Sequence, residues 1–202
     1  MTRARPARER GAATATAPAV TLRLARFDDV PALEALIPLS ARALQAATYT
    51  PAQIEGALGT VFAVDRQLIA DGTYFVAERD REMVGCGGWS RRKTLFGGDR
   101  GRSPLADPLL DPKRDAARIR AFFVHPALAR RGVGRLLMSA CERAATDAGF
   151  RAMELVATLA GEPLYAAFAF RAVERYDVAL ANGLSLPVVR MAKPLPVSTQ
   201  GI

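Results

Sequence analysis

Apolar and polar residues alternate over 20–26, a period of two that predicts a strand. The period then lengthens. Asp28 and Asp29 precede Val30, Leu33, Leu36, Ile37 and Leu44, a helical spacing with Pro31 in its first turn. Pro38 is expected to break or kink that helix. Thr50-Pro51-Ala52-Gln53 is a capping box that opens a second helix to about Leu58. A third short helix is predicted over 63–70. Strands over 73–78 and 83–89 are joined by a tight turn into a hairpin. The stretch 93–114, rich in Gly, Pro and Asp, predicts a long loop, and loops of that length are usually functional or mobile.

A strand over 117–124 follows, then the clearest helix of the chain, 133–148. Its apolar face is Val133, Leu136, Leu137, Ala140, Cys141, Ala144 and Ala148, with Arg135, Glu142, Arg143 and Asp147 opposite and Gly149 as the stop. A strand over 151–158 and a short helix over 162–168 come next. Strands over 172–180 and 184–193 flank Asn182-Gly183, a strong hairpin signal. This order predicts an α/β domain, a mixed sheet covered by helices. Residues 1–18 lack apolar periodicity and read as a disordered extension, leaving one domain over 19–196 and a tail over 197–202.

Composition narrows the classes. Half the 202 residues are apolar, which excludes a disordered chain, and no apolar run reaches the roughly 18 residues that span a bilayer. Cys86 and Cys141 stand in apolar patterns without Cys/His grouping, so neither a disulfide framework nor a metal site is expected, and a cytoplasmic location is. The net charge is +8, but the first ten residues hold four arginines against one glutamate, and the remaining charge is spread. No basic groove interleaved with aromatics appears, so an anionic small ligand is expected rather than a nucleic acid.

The stretch 119–137, IRAFFVHPALARRGVGRLL, carries the chemistry. A strand ends at Val124, and Gly132 and Gly134 precede the long helix. The free N–H groups of that helix start, its dipole, and Arg130, Arg131 and Arg135 together suit an anion such as pyrophosphate. The plain alternative is a glycine turn into a helix with no ligand. No GxxxxGK[ST] run exists. Leu137 stands where a dinucleotide fingerprint needs its third glycine, although Glu154 lies at a suitable distance for a ribose.

Residues 129–134, Ala-Arg-Arg-Gly-Val-Gly, resemble the acetyl-CoA loop of the GCN5-related N-acetyltransferase (GNAT) superfamily, [QR]-x-x-G-x-[GA] before a helix, with Ala129 at the first position. Residues 164–170, Leu-Tyr-Ala-Ala-Phe-Ala-Phe, are similar to its LYxxxGF, with Ala169 in place of glycine. Leu159 stands where many members carry asparagine. The likeness runs from about Val20 to Pro194. It implies the acyl-CoA N-acyltransferase fold: a mixed, mostly antiparallel sheet whose one parallel strand pair splays apart. Backbone groups of Phe122, Phe123 and Val124 would then meet the pantetheine arm as a substitute strand. Backbone amides of Arg130, Arg131, Gly132, Val133, Gly134 and Arg135 would hold the pyrophosphate.

The implied activity is acetyl transfer from acetyl-CoA, a co-substrate, to a primary amine of a small molecule or peptide, without metal. A backbone N–H near Phe123 or Val124 would polarise the carbonyl, and Tyr165 would protonate the leaving thiolate. Without the resemblance, Tyr165 reads as a helix aromatic packed on the sheet. His125 reads as a loop residue near the cofactor, Glu154 as distant from the splay, and Glu162 as a helix cap. Tyr49, Trp89, Arg91 and Tyr176 are the candidate acceptor-site side chains. The competing class is a non-catalytic acyl-CoA-binding module. Homodimers are common in folds of this kind; neither nucleic acid nor membrane is an expected partner.

Overall fold

The computed structural model describes residues 19–98 and 107–196. The extension expected over 1–18, the tail over 197–202 and the middle of the 93–114 loop lie outside them. Seven strands form one sheet: β1 (Thr21–Leu24), β2 (Tyr74–Arg79), β3 (Glu82–Ser90), β4 (Ala117–Val124), β5 (Ala152–Thr158), β6 (Arg171–Ala179) and β7 (Ser185–Pro194). Their order across the sheet is β1-β2-β3-β4-β5-β7-β6. Every neighbouring pair is antiparallel except β4 and β5. The fold is the mixed, mostly antiparallel α/β sheet expected.

Helices α1 (Val30–Leu44), α2 (Pro51–Ala57) and α3 (Arg66–Ala70) cover one face, and α4 (Val133–Asp147) and α5 (Glu162–Ala166) the other. On the first face Leu33, Leu36 and Ile37 bury against Val76, Cys86 and Val188. On the second, Met138, Cys141 and Ala145 pack on Ile119, Met153 and Leu155. Each of the leucine, isoleucine, valine and methionine side chains among them contributes about 1.5–3 kcal/mol of burial.

Local chemistry explains most boundaries. Thr50 Oγ1 accepts from the Gln53 N–H at 3.3 Å and Gln53 Oε1 accepts from the Thr50 N–H at 3.0 Å, closing the capping box at α2. The third helix begins only at Arg66, because Asp65 caps it by accepting the Leu68 N–H at 3.3 Å. Pro38 does not break α1, which stays helical through it. The proline sacrifices one hydrogen bond, while Leu36, Ile37, Ser40 and Ala41 around it are buried, so packing outweighs a penalty of about 3 kcal/mol.

Candidate active site

β4 and β5 are paired only over Ala117–Met153, Arg118–Glu154 and Ile119–Leu155. Beyond Ile119 the strands part, β4 continuing beside β3 to Val124 and β5 beside β7 to Thr158. A register shift between Cys86 and Gly88 and a positive φ of 55° at Ala121 mark a bulge in β4 where the separation begins. A bulge bends its strand and increases its twist, which steers β4 away from its parallel neighbour. The closed end is clamped by Glu154, whose carboxylate pairs with both Arg118 and Arg190.

The gap opens into a cleft of about 540 Å³. One wall is Phe122, Phe123 and Val124 of β4; the far rim is Ala129, Arg130, Gly132, Gly134 and Arg135 at the start of α4. Gly132 is the α4 N-cap at φ 91°, a conformation that favours glycine. The first helical acceptor is the Gly132 carbonyl, taking the Leu136 N–H at 2.9 Å. The amides of Val133, Gly134 and Arg135 therefore have no carbonyl one turn back. Gly134 faces Leu164 of α5, whose Cδ2 would lie 3.2 Å from an added Cβ. Neither Arg130 nor Arg135 pairs with a carboxylate among the described residues, so both cations are available beside those amides.

Tyr165 projects from α5 into the same cleft, 8 % exposed, with its ring edge-on to Phe122 at 6.2 Å and to Phe170 at 6.0 Å. Burial pushes its phenol well above the usual value, so the hydroxyl stays protonated at neutral pH. That hydroxyl has no hydrogen-bond partner among the described residues.

The model of the acetyltransferase (GNAT) family matches residues 41–170. The chain belongs to that family. Among curated proteins, no sequence matches it. A GCN5-related N-acetyltransferase from Rhodopseudomonas palustris has the same fold at 24% identity and a TM-score of 0.64, covering 92% of this chain and 100% of that one. The PaiA N-acetyltransferase of Thermoplasma acidophilum, solved with coenzyme A, is 13% identical with a TM-score of 0.58 over 87% of this chain and 99% of its own. The ribosomal-protein-S18-alanine N-acetyltransferase of Escherichia coli is 14% identical with a TM-score of 0.56 over 91% and 99%.

Within this acetyltransferase the fold brings together Phe122, Phe123, Val124, Arg130, Gly132, Gly134, Arg135 and Tyr165. Val133 points into the core beside Leu128 and Leu137, so only its amide can serve a ligand, and Arg131 lies exposed off the cleft lining. The four acceptor-site candidates do not line the cleft. Tyr49 is 5 % exposed; its hydroxyl donates to the Pro187 carbonyl at 2.6 Å and accepts the Leu159 N–H at 2.9 Å. Trp89 is packed edge-on against Phe150 on the α4 face. Arg91 reaches the Asp71 carbonyl at 3.3 Å, and Tyr176 packs on the α1-side core from β6. His125 caps a turn, its Nδ1 accepting from the Ala127 N–H at 3.2 Å, and Glu162 pairs with Arg175 at 2.6 Å.

The α1 side of the cleft is lined instead by Ser40, Leu44, Gln45, Val61 and Phe62, with Leu95 and Phe96 from the loop after β3. Arg120 is the cationic side chain on this side, 4 % exposed and paired with Asp65 at 2.8 Å. Gln45 Oε1 is buried without a hydrogen-bond partner among the described residues. Ser40 and Gln45 carried one sequence signal: Ser40 falls at helical spacing among Leu33, Leu36, Ile37 and Leu44, a polar residue inside an apolar stripe.

Proposed function

We propose that this acetyltransferase moves the acetyl group of acetyl-CoA to a primary amine of a small molecule or peptide, by direct attack within a ternary complex. The observation that carries this reading is the sheet gap between β4 and β5, with unspent amides and cations at one end and the Tyr165 hydroxyl, lacking a partner, facing it. The donor set fits the co-substrate. The Val133, Gly134 and Arg135 amides and the Arg130 and Arg135 guanidinium groups suit a pyrophosphate, and the exposed edge of β4 suits the amides of a pantetheine arm. Acetyl-CoA supplies an activated acyl carbon on a thiolate leaving group.

The chain's own residues orient and move protons. The acceptor approaches from the α1 side, where Leu44, Val61 and Phe62 exclude water and Gln45 Oε1 can accept an amine N–H. The amine nitrogen forms a bond to the acyl carbon as the carbon–sulfur bond breaks. Tyr165 gives its proton to the departing sulfur and regains one from solvent, while the amine loses its proton to water at the cleft mouth.

The test is incubation with acetyl-CoA and a pooled panel of amines, following free thiol. Cys86 and Cys141 are buried, and burial pushes the Cys86 thiol up to about 12, so a thiol reagent at neutral pH reads the released coenzyme alone. Turnover is expected, and Tyr165→Phe should lower kcat by roughly 10²-fold. Undiminished activity in that variant would remove Tyr165 from the mechanism. Tight acetyl-CoA binding with no turnover on any amine would make the protein a binding module.

A further inference from the structure

The two ends of the cleft differ in chemistry. Arg130, Arg135 and the unspent amides lie at the start of α4. On the α1 face the same cleft is walled by Leu44, Val61, Phe62, Phe96, Val156 and Val188. Phe62 and Val188 belong to the buried core of that face, and Val61 and Val156 pack against it, so the wall is backed by packed side chains. Phe96 comes from the loop after β3, which is tied down on both sides of the sheet gap. Its Gly97 carbonyl accepts from Arg120 Nη2 at 2.5 Å, and its Gly98 N–H donates to the Thr60 carbonyl at 2.7 Å. Arg120 brings a positive charge to this wall, and the buried Asp65 carboxylate, 2.8 Å away, neutralises it. Among the described residues no carboxylate lines the cleft. Gln45 Oε1 is the polar atom of this wall that lacks a partner among them.

We propose that the acceptor is a monoamine with an apolar body, an alkyl or aryl amine that carries neither a second ammonium nor a carboxylate. This rests on the acetyl-CoA reading above. A second ammonium would lose its water against hydrocarbon with no opposite charge on the wall to meet it. A carboxylate would find the Arg120 charge already answered by Asp65. An alkyl or aryl body buries apolar surface instead, a gain of roughly fourfold in kcat/KM per methylene covered. The same wall serves the reacting nitrogen. Apolar surroundings disfavour the ammonium form and shift the bound amine toward the neutral form that attacks. Gln45 Oε1, an acceptor, takes one amine N–H and leaves the nitrogen lone pair for the acyl carbon.

Hexylamine, 1,6-diaminohexane and 6-aminohexanoate have one length and differ only at the far end, so they separate the classes. Free thiol release at saturating acetyl-CoA gives kcat/KM for each. Hexylamine should exceed the other two by about tenfold or more, and kcat/KM should climb roughly fourfold per methylene from ethylamine to hexylamine. Phe96→Ala should lose roughly tenfold on hexylamine, in KM rather than kcat, and less on ethylamine, which has less surface to bury. If that variant does not fold, Val61→Ala is measured by the same readouts, with the same expected contrast. Equal or better turnover of the diamine or the amino acid overturns the proposal, and so does a flat alkyl series. Equal losses on the two alkylamines in Phe96→Ala overturn it as well, by making the wall a packing surface only. Turnover of polar amines alone removes this substrate class and leaves acetyl transfer standing. No thiol release with any amine of the pooled panel overturns the transfer reading itself, and this proposal with it.

Discussion

Tyr49→Phe separates a structural tie from a substrate contact. The side chain sits in the connection between α1 and α2, and its hydroxyl joins that connection to β7 through Pro187 and to the end of β5 through Leu159. Phenylalanine keeps the ring, so no cavity larger than one oxygen is created. What is lost is the partner of two groups, a carbonyl at 2.6 Å and an N–H at 2.9 Å. A buried group left unpaired costs roughly 1–3 kcal/mol. With some relaxation at each, the variant should lose about 2–4 kcal/mol. For a chain of this size that lowers Tm by roughly 2–4 °C per kcal/mol. Urea unfolding should show a lower midpoint at unchanged m-value, while KM for the acceptor stays close to wild type. Stability within about 0.5 kcal/mol of wild type, with a raised acceptor KM, would refute this and return Tyr49 to the acceptor site.

Two further substitutions follow from the geometry. Ala169 holds φ at 64°, where side chains cost about 1–2 kcal/mol, so Ala169→Gly should raise the unfolding free energy by up to about 1 kcal/mol after the glycine's greater unfolded-state entropy is subtracted; a lower unfolding midpoint contradicts it. Acid stability depends on paired carboxylates. Hydrogen bonds from Arg23 hold Asp29 below its usual value, and at Asp71 burial pushes upward but hydrogen bonds from Arg92 and Gln67 prevail and lower it. A lowered folded-state pKa stabilises above the unfolded value near about 3.9 and is lost as pH falls through the folded one, so stability should drop below about pH 4. In Asp71→Asn the acid limb should flatten and the neutral-pH midpoint fall; an unchanged acid limb would show that Asp71 does not contribute to it.

What could be read in the sequence follows how local its cause is. The Thr50–Gln53 box and the Asn182-Gly183 turn are each set within a few residues and stand where the pattern predicts; α4 forms as predicted, but its buried face takes in Met138 and Ala145 and leaves Leu136 and Ala148 exposed. The partners of Tyr49 are 138 and 110 residues away, and no local pattern announces them. Trp89 is placed by a local rule instead. Strand alternation puts it on the face opposite Cys86, against Phe150 and away from the α1 side, and that parity was present in the sequence. Pro38 does not end α1, because propensity is a weak prior against four buried neighbours.

Two polar groups without partners meet in the cleft. A folded chain satisfies nearly all its buried donors and acceptors, because each orphan is costly. The Tyr165 hydroxyl and Gln45 Oε1 both lack a partner among the described residues, they come from α5 and the residue after α1, and both line the same cleft, while Asp107 Oδ2 and Arg118 Nε are unpartnered outside it. Two arginines at the cleft are likewise uncommitted. Arg23, Arg92, Arg118 and Arg190 are committed to carboxylates, whereas Arg130 and Arg135, at the mouth of that cleft, are not. Independent elements that leave groups unsatisfied at one location are arranged for something not of the chain.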